Sequence, residues 1–153
     1  LALSAIGLVL SARLDYPSPP DRPDVHNVGH GGVLQVFETV YSSDEWPPGE
    51  RFDRWREMIT RSYLPSVVNS EDADDFHGVA RVLQAGPVHV ATLRLPALQV
   101  LRTPVHVRRL DPDQYQLAVT LRGRRTMAQC GREVVPEVGD LVLNDSSHPY
   151  ESW

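Results

Sequence analysis

Hydrophobic positions change their rhythm three times along the chain. Residues 1–12, LALSAIGLVLSA, are an almost unbroken apolar run, and residues 15–32 are then interrupted repeatedly by proline and glycine. That second stretch denies the backbone regular hydrogen bonding. A short strand is expected at Val33 to Phe37. Next, Phe52, Trp55, Ile59 and Tyr63 recur at helical spacing, with Arg51, Asp53, Arg54 and Arg61 on other faces. This pattern predicts one amphipathic helix over 48–63. Ser42-Ser43-Asp44-Glu45 and Pro47-Pro48 supply its starting signals, and Pro65 stops it.

Beyond the acidic stretch 71–75 the period shortens to two. Strands are expected at 76–84, 88–95, 97–102, 105–109, 115–122, 125–130, 132–135 and 140–144, with no second helix. So many short strands in so few residues predict a sandwich or barrel. The clearest alternation runs from Tyr115 to Arg122. Tyr115, Leu117, Val119 and Leu121 share one side, read as the buried one, and Gln116, Ala118, Thr120 and Arg122 share the other. Gly123, Cys130-Gly131 and Pro136 to Asp140 mark turns between these strands. The stretch Asp145 to Tyr150 reads as a closing turn.

At 153 residues the chain suits one domain, over 33–153, after a disordered tail or linker at 1–32. The apolar run at 1–12 is too short to cross a bilayer, which needs ~20 apolar residues in a helix. Because it begins on Leu1 and lacks a basic flank, it is expected to be an extension at a fragment boundary or an irregular arm, not an export signal. No membrane association is expected. A net charge of -5 argues against a chain devoted to phosphate backbones. The single cysteine, Cys130, offers neither a disulfide framework nor a metal pair, which fits a reducing, cytoplasmic compartment.

Candidate chemistry is sparse. His26 and His30 are spaced for one helix face, but the surrounding prolines and glycines make a loop. Asp145-Ser146-Ser147-His148 holds the residue types of a hydrolase triad without the convergence from separate elements that a triad needs. The arginines at 122, 124 and 125 read as a solvated hairpin tip paired to Glu133, Glu137 or Asp140. Arg102, set among apolar strand residues, must find a partner.

Taken in order, these parts carry a family resemblance. The helix bears Arg51, Phe52, Trp55 and Arg56, and the middle of the chain bears Arg102-Thr103 and Arg108-Arg109. The closing part bears Gly123, Gly131-Arg132, Pro136, Gly139-Asp140, Leu141-Val142-Leu143, Asp145-Ser146-Ser147 and Pro149-Tyr150. From about Phe37 to Ser152 the chain resembles the N-terminal sensor domain of AraC-family transcription regulators. The resemblance implies a mainly β, cupin-like jelly-roll or double-stranded β-barrel with one amphipathic N-terminal α-helix. It implies a noncatalytic regulatory domain that binds a small-molecule effector or forms a homodimer. DNA would be bound only through a C-terminal helix-turn-helix domain, absent from this chain.

Barrel effector sites are lined by inward side chains with a few orienting polar groups. Arg102, His106, Tyr115, Met127 and Tyr150 are the candidates here, while Leu117, Val119 and Leu141 are expected to be plain core. Phe52, Trp55, Ile59 and Tyr63 would make the helix a lid or a dimer surface. No cofactor and no metal is expected. The competing reading is a small metal-dependent cupin-type enzyme drawing ligands from His77, His89, His106 or His148, although the chain has no His-x-His motif.

Overall fold

The computed structural model describes residues 5–12, 26–27, 36–62, 64–86, 88–111 and 113–153. Its architecture is mainly β: two antiparallel sheets and one long amphipathic helix, as the cupin-like jelly-roll reading expects. In chain order the strands are β1 (Ala5–Ala12), β2 (His26–Asn27), β3 (Val36–Ser42), β4 (Val67–Asn69), β5 (Val79–Ala85) and β6 (Val88–Leu95). Then follow β7 (Gln99–Arg102), β8 (Tyr115–Arg122), β9 (Met127–Gln129), β10 (Arg132–Val134), β11 (Leu141–Asp145) and β12 (Tyr150–Ser152). Helix α1 is Arg51–Ser62 and α2 is Pro104–Arg109. The seven-stranded sheet runs β11-β8-β1-β6-β5-β3-β2, and the five-stranded sheet runs β10-β9-β12-β7-β4.

The amphipathic helix forms where its apolar spacing places it. A 3-10 turn at Ser43–Glu45, whose Ser42 side chain accepts the Asp44 N–H, leads through a second 3-10 turn at Pro48–Glu50 into α1. Ser43 is fully buried and its hydroxyl accepts the Gly78 N–H at 2.8 Å, tying this approach to the start of β5. Trp55 is 0% exposed and Phe52 and Ile59 pack on the same core cluster as Phe76 and Ala80. The Phe52 and Trp55 rings stand 5.3 and 5.6 Å from that of Phe76, in tilted geometry. The apolar stripe of α1 is therefore engaged with the core, as a lid over one end of the larger sheet. Tyr63 lies outside the described residues. The opposite face is held by the ion pairs Arg54–Glu50, Arg56–Asp53 and Arg61–Glu57.

Four features differ from the sequence reading, each for an identifiable reason. The apolar run expected as an irregular arm contains β1, which sits in the middle of the larger sheet between β6 and β8. Its backbone finds ladder partners on both sides, which an isolated apolar run cannot reveal. Residues expected as a strand at 105–109 form α2 instead. Thr103 caps it in a reciprocal box with His106, and Pro104 occupies the first turn, so local capping outweighs the β preference of Val105 and Val107. Three short strands, β2, β4 and β12, are not expected from the sequence, and β2 lies in the stretch expected as a disordered tail or linker.

The fourth difference is the largest. On β8 the buried side is Gln116, Ala118 and Thr120, and the apolar side faces out. Leu117, Val119 and Leu141 are thus outer-face residues, not core, and Leu141 is 66% exposed. Strand alternation determines which residues share a face but not which face turns inward.

The turns follow the glycines. Between β9 and β10 a two-residue turn, Cys130-Gly131, has positive φ at both positions, 52° and 72°. This is the primed hairpin geometry that matches strand twist, and it explains glycine at 131.

Candidate functional site

Strand register assembles the inner face of the seven-stranded sheet into transverse rows. One row is Asn144–Gln116–Ser11–His89–Gln84, read across β11, β8, β1, β6 and β5. Two residues along each strand, the next row is Val142–Ala118–Val9–Ala91–Val82. The row beyond contains Thr120, Gly7, Leu93, Ala80 and Tyr41, and there α1 covers Tyr41, Ala80 and Leu93. The interior thus grades from an aromatic, apolar end under α1 to a polar end about 13 Å away, two row spacings along the strands.

Ser11, Gln116 and Asn144 are all buried. The Asn144 amide donates to Gln116 Oε1 at 3.0 Å, which fixes the orientation of the Gln116 amide group. Among the described residues Gln116 Nε2 has no hydrogen-bond partner, although the residue is only 4% exposed. A buried amide donor left unpaired costs on the order of 1–3 kcal/mol, so its retention calls for a reason.

The smaller sheet contributes a second inner face. Gln129, Tyr150 and Arg102 form one row across β9, β12 and β7, and Met127, Ser152, Val100 and Val68 form the next. Arg102 is 0% exposed, and its guanidinium donates to three backbone carbonyls: Ser146 at 3.0 Å, Pro65 at 3.0 Å, and Leu110. These carbonyls belong to the β11–β12 turn, the segment after α1, and the segment after α2. The partner that Arg102 required is therefore the backbone of three separate connections. Burial lowers the Arg102 pKa, opposed by Tyr150 and Asp111 nearby. Burial likewise raises the Tyr150 phenol, opposed by Arg102 and Arg125. Arg125, expected at a solvated tip, instead donates to the Ser152 hydroxyl at 2.8 Å.

Of the five effector candidates, the structure brings together Arg102, Met127 and Tyr150 on the inner face of the smaller sheet. His106 is half-buried on α2, where its Nδ1 accepts the Thr103 N–H at 3.1 Å. Tyr115 does not join them: it is 58% exposed on the outer face of β8, because the alternation runs opposite to the expected sense. The polar inner row was missed for the same reason. Its signal is the regular series of polar or small residues at 116, 118 and 120, a pattern that alternation alone places on the solvent side.

The histidines of the enzyme reading are dispersed. His77 lies 2.7 Å from Asp44 and 3.3 Å from Asp75, His148 lies 3.0 Å from Asp145, and His89 belongs to the inner polar row. Among the described residues no group of three or more His, Cys, Asp or Glu is arranged to hold a metal ion. The Asp145–His148 pair closes the β11–β12 turn, with the Asp145 carboxylate also accepting the Ser147 N–H at 2.8 Å. Two open hollows, of about 550 and 290 Å³, are not lined by the inner polar row: one lies between the charged side of α1 and β4, and the other is lined by Arg102, Thr103, Gln129, Gly131, Tyr150 and Glu151, so it takes in two of the effector candidates. The first is lined by the exposed α1 ion pairs, and solvated pairs of this kind are poor ligand anchors. Among the described residues, no helix is long and apolar enough to cross a membrane.

No curated protein and no solved structure matches the chain in the comparisons made. A family model described as the AraC-binding-like domain does match, over residues 55–153. That span takes in most of α1, both inner faces apart from the contributions of β1 and β3, and the Arg102 clamp. With a jelly roll of two antiparallel sheets and this match over more than half its length, the chain belongs to the AraC-binding-like domain family, the regulatory sensing domains of AraC-type regulators.

Proposed function

We propose that this domain senses a small, polar effector held between its two sheets, at the end of the interior away from α1. The observation that carries this reading is the buried, unpartnered amide nitrogen of Gln116, set in a row with Ser11 and Asn144. Gln116 would donate to an acceptor oxygen of the effector, and Ser11 would supply a hydroxyl beside it. Ala118 and Ala91, in the neighbouring row, keep side-chain bulk low next to this position. Tyr150 and Met127, from the facing sheet, would provide the apolar wall that orients such a ligand. Arg102 acts here as a positioning residue, because the turn it holds at Ser146 also bonds Gln114, next but one to Gln116, through the Gln114 N–H and the Ser146 hydroxyl.

In this reading the output is regulation of transcription. Effector occupancy would be passed to a DNA-binding helix-turn-helix domain elsewhere in the regulator, and the domain itself would be noncatalytic. The acidic net charge of -5 supports a division of labour in which DNA contact is made by another part. The test is a thermal-shift screen of the purified chain against sugars, polyols, amides and hydroxy acids. A hit should raise the melting temperature of the wild type and leave that of Gln116→Leu unchanged. Equal shifts in both proteins would refute the assignment of the site.

A further inference from the structure

The end of the interior away from α1 is polar without offering a charge. Among the described residues the buried side chains include one cation, Arg102, and no Asp or Glu. Each of the three guanidinium nitrogens of Arg102 already donates to a backbone carbonyl, so its charge is committed to those connections. Burial raises the phenols of Tyr41 and Tyr150, which keeps both neutral. Arg125 is engaged with the Ser152 hydroxyl and the Met127 sulfur. Arg132 shares the Gln129 face by register but is exposed on β10. His89 is half-buried and stands two strand spacings from Gln116, about 10 Å across the sheet, out of reach of an atom bonded to the Gln116 amide.

Hydrogen-bonding capacity sets the sign of what Gln116 can take. Its Oε1 accepts from the Asn144 amide, so the end left over is the donor Nε2. Ser11, paired with Gln116 across β1 and β8, adds a hydroxyl. A carbonyl oxygen has two lone pairs and no proton to place, so it can accept from both. A carboxylate would lose its hydration with no free cation to replace it, and an ammonium would bring its protons against a donor. An alcohol would have to find an acceptor for its own proton as well. One row along the strands, ~7 Å away, the lining becomes apolar: Val142, Ala118, Val9, Ala91 and Val82 on one sheet, Met127 and Val100 on the other. Beyond that row the cluster of Trp55, Phe76 and Ala80 fills the interior, which limits the length of any bound body.

Resting on the assignment of the effector site to Gln116, we infer that the effector is an uncharged carbonyl compound with a short apolar body, of the ketone, aldehyde or ester kind, and that carboxylates, amines and phosphates are rejected. The carbonyl oxygen takes the Gln116 Nε2–H and the Ser11 hydroxyl, and the body lies along the apolar row.

Nuclear magnetic resonance titration of the wild-type chain with methyl propyl ketone, butanoate, pentylamine and pentanol, ligands of similar size and different head groups, tests the inference. The side-chain amide resonance of Gln116, identified by its loss in Gln116→Leu, reports the hydrogen bond directly. Backbone amides of Ser11 and Ala118 report binding in both proteins. The ketone should shift the Gln116 amide and saturate at roughly millimolar to tens of millimolar concentration, the affinity open to so small a ligand. Butanoate and pentylamine should bind at least about tenfold more weakly, because a buried charge goes uncompensated, and pentanol should also bind more weakly than the ketone. Gln116→Leu should weaken the ketone at least about tenfold, with backbone spectra otherwise unchanged to show that the variant folds. If butanoate, pentylamine or pentanol binds as tightly as the ketone with the same dependence on Gln116, the site stands and the carbonyl class is overturned. If none of the four moves the Gln116 amide, or if binding is undiminished in Gln116→Leu, the assignment of the site fails and the inference falls with it.

Discussion

Replacing Arg102 by methionine probes the feature that joins the most parts of this fold. The guanidinium is wholly buried and donates to carbonyls of Ser146, Pro65 and Leu110, which lie on three different connections. Methionine keeps much of the volume and removes every donor. Two effects compete. Relieving the desolvation of a buried cation favours the variant, and this is the leading cause of the lowered Arg102 pKa. Three carbonyls lose their partner, each costing on the order of 1–3 kcal/mol where water does not replace it. Since Pro65 and Leu110 are only partly buried, water recovers part of their loss, and the net expectation is a destabilisation of about 3 kcal/mol. Against a typical domain stability of ~5–15 kcal/mol this is a large fraction. Urea unfolding followed by tryptophan fluorescence measures it, with the slope checked for constancy so that the midpoint shift reports stability. Arg102→Lys should recover only part of the loss, because one ammonium cannot span three diverging carbonyls. A methionine variant within about 0.5 kcal/mol of the wild type, at equal slope, would refute the clamp.

Two further outcomes are expected. Trp55→Ala should cost about 3–5 kcal/mol by leaving a cavity between α1 and Phe76, whereas Trp55→Phe should cost far less, because the indole N–H it removes has no partner among the described residues; urea midpoints of the two variants decide. At Asp145, burial raises the carboxyl pKa, but hydrogen bonds from Ser147 and His148 outweigh it and hold it below the ordinary value. Its contribution to stability is therefore present above the unfolded pKa of ~3.9 and is lost as pH falls through the lower folded value, so Asp145→Asn should flatten the acid limb of melting temperature against pH below about pH 4.

The sequence showed the turns and the helix plainly, and the interior poorly. Glycines with positive φ, capping serines and the Phe52-Trp55-Ile59 spacing act locally, so they could be read without tertiary information. The position of β1 could not, because its partners β6 and β8 are some 80 to 115 residues away and nothing local to an apolar run names them. The sense of the β8 alternation is hidden from the sequence for a related reason. Leucine and valine on one side ordinarily indicate a core, and only the pairing of Gln116 with Ser11 and Asn144 reveals that the polar side turns inward. Arg102 was recognisable as a buried charge in need of partners, but the partners are carbonyls, which carry no side-chain signature. A chain that buries glutamine, asparagine and serine while exposing leucine departs from the usual pattern, and such departures concentrate where a protein must recognise something.

The most direct test of effector sensing is isothermal titration of the best stabiliser from the thermal-shift screen into the wild type and into Gln116→Leu. The account predicts one site per chain in the wild type. In Gln116→Leu the affinity should fall at least about tenfold, the worth of one lost buried hydrogen bond, and fold stability should change little, because the change removes the unpaired Nε2 but also the Oε1 that accepts from the Asn144 amide. Undiminished affinity in Gln116→Leu would contradict it.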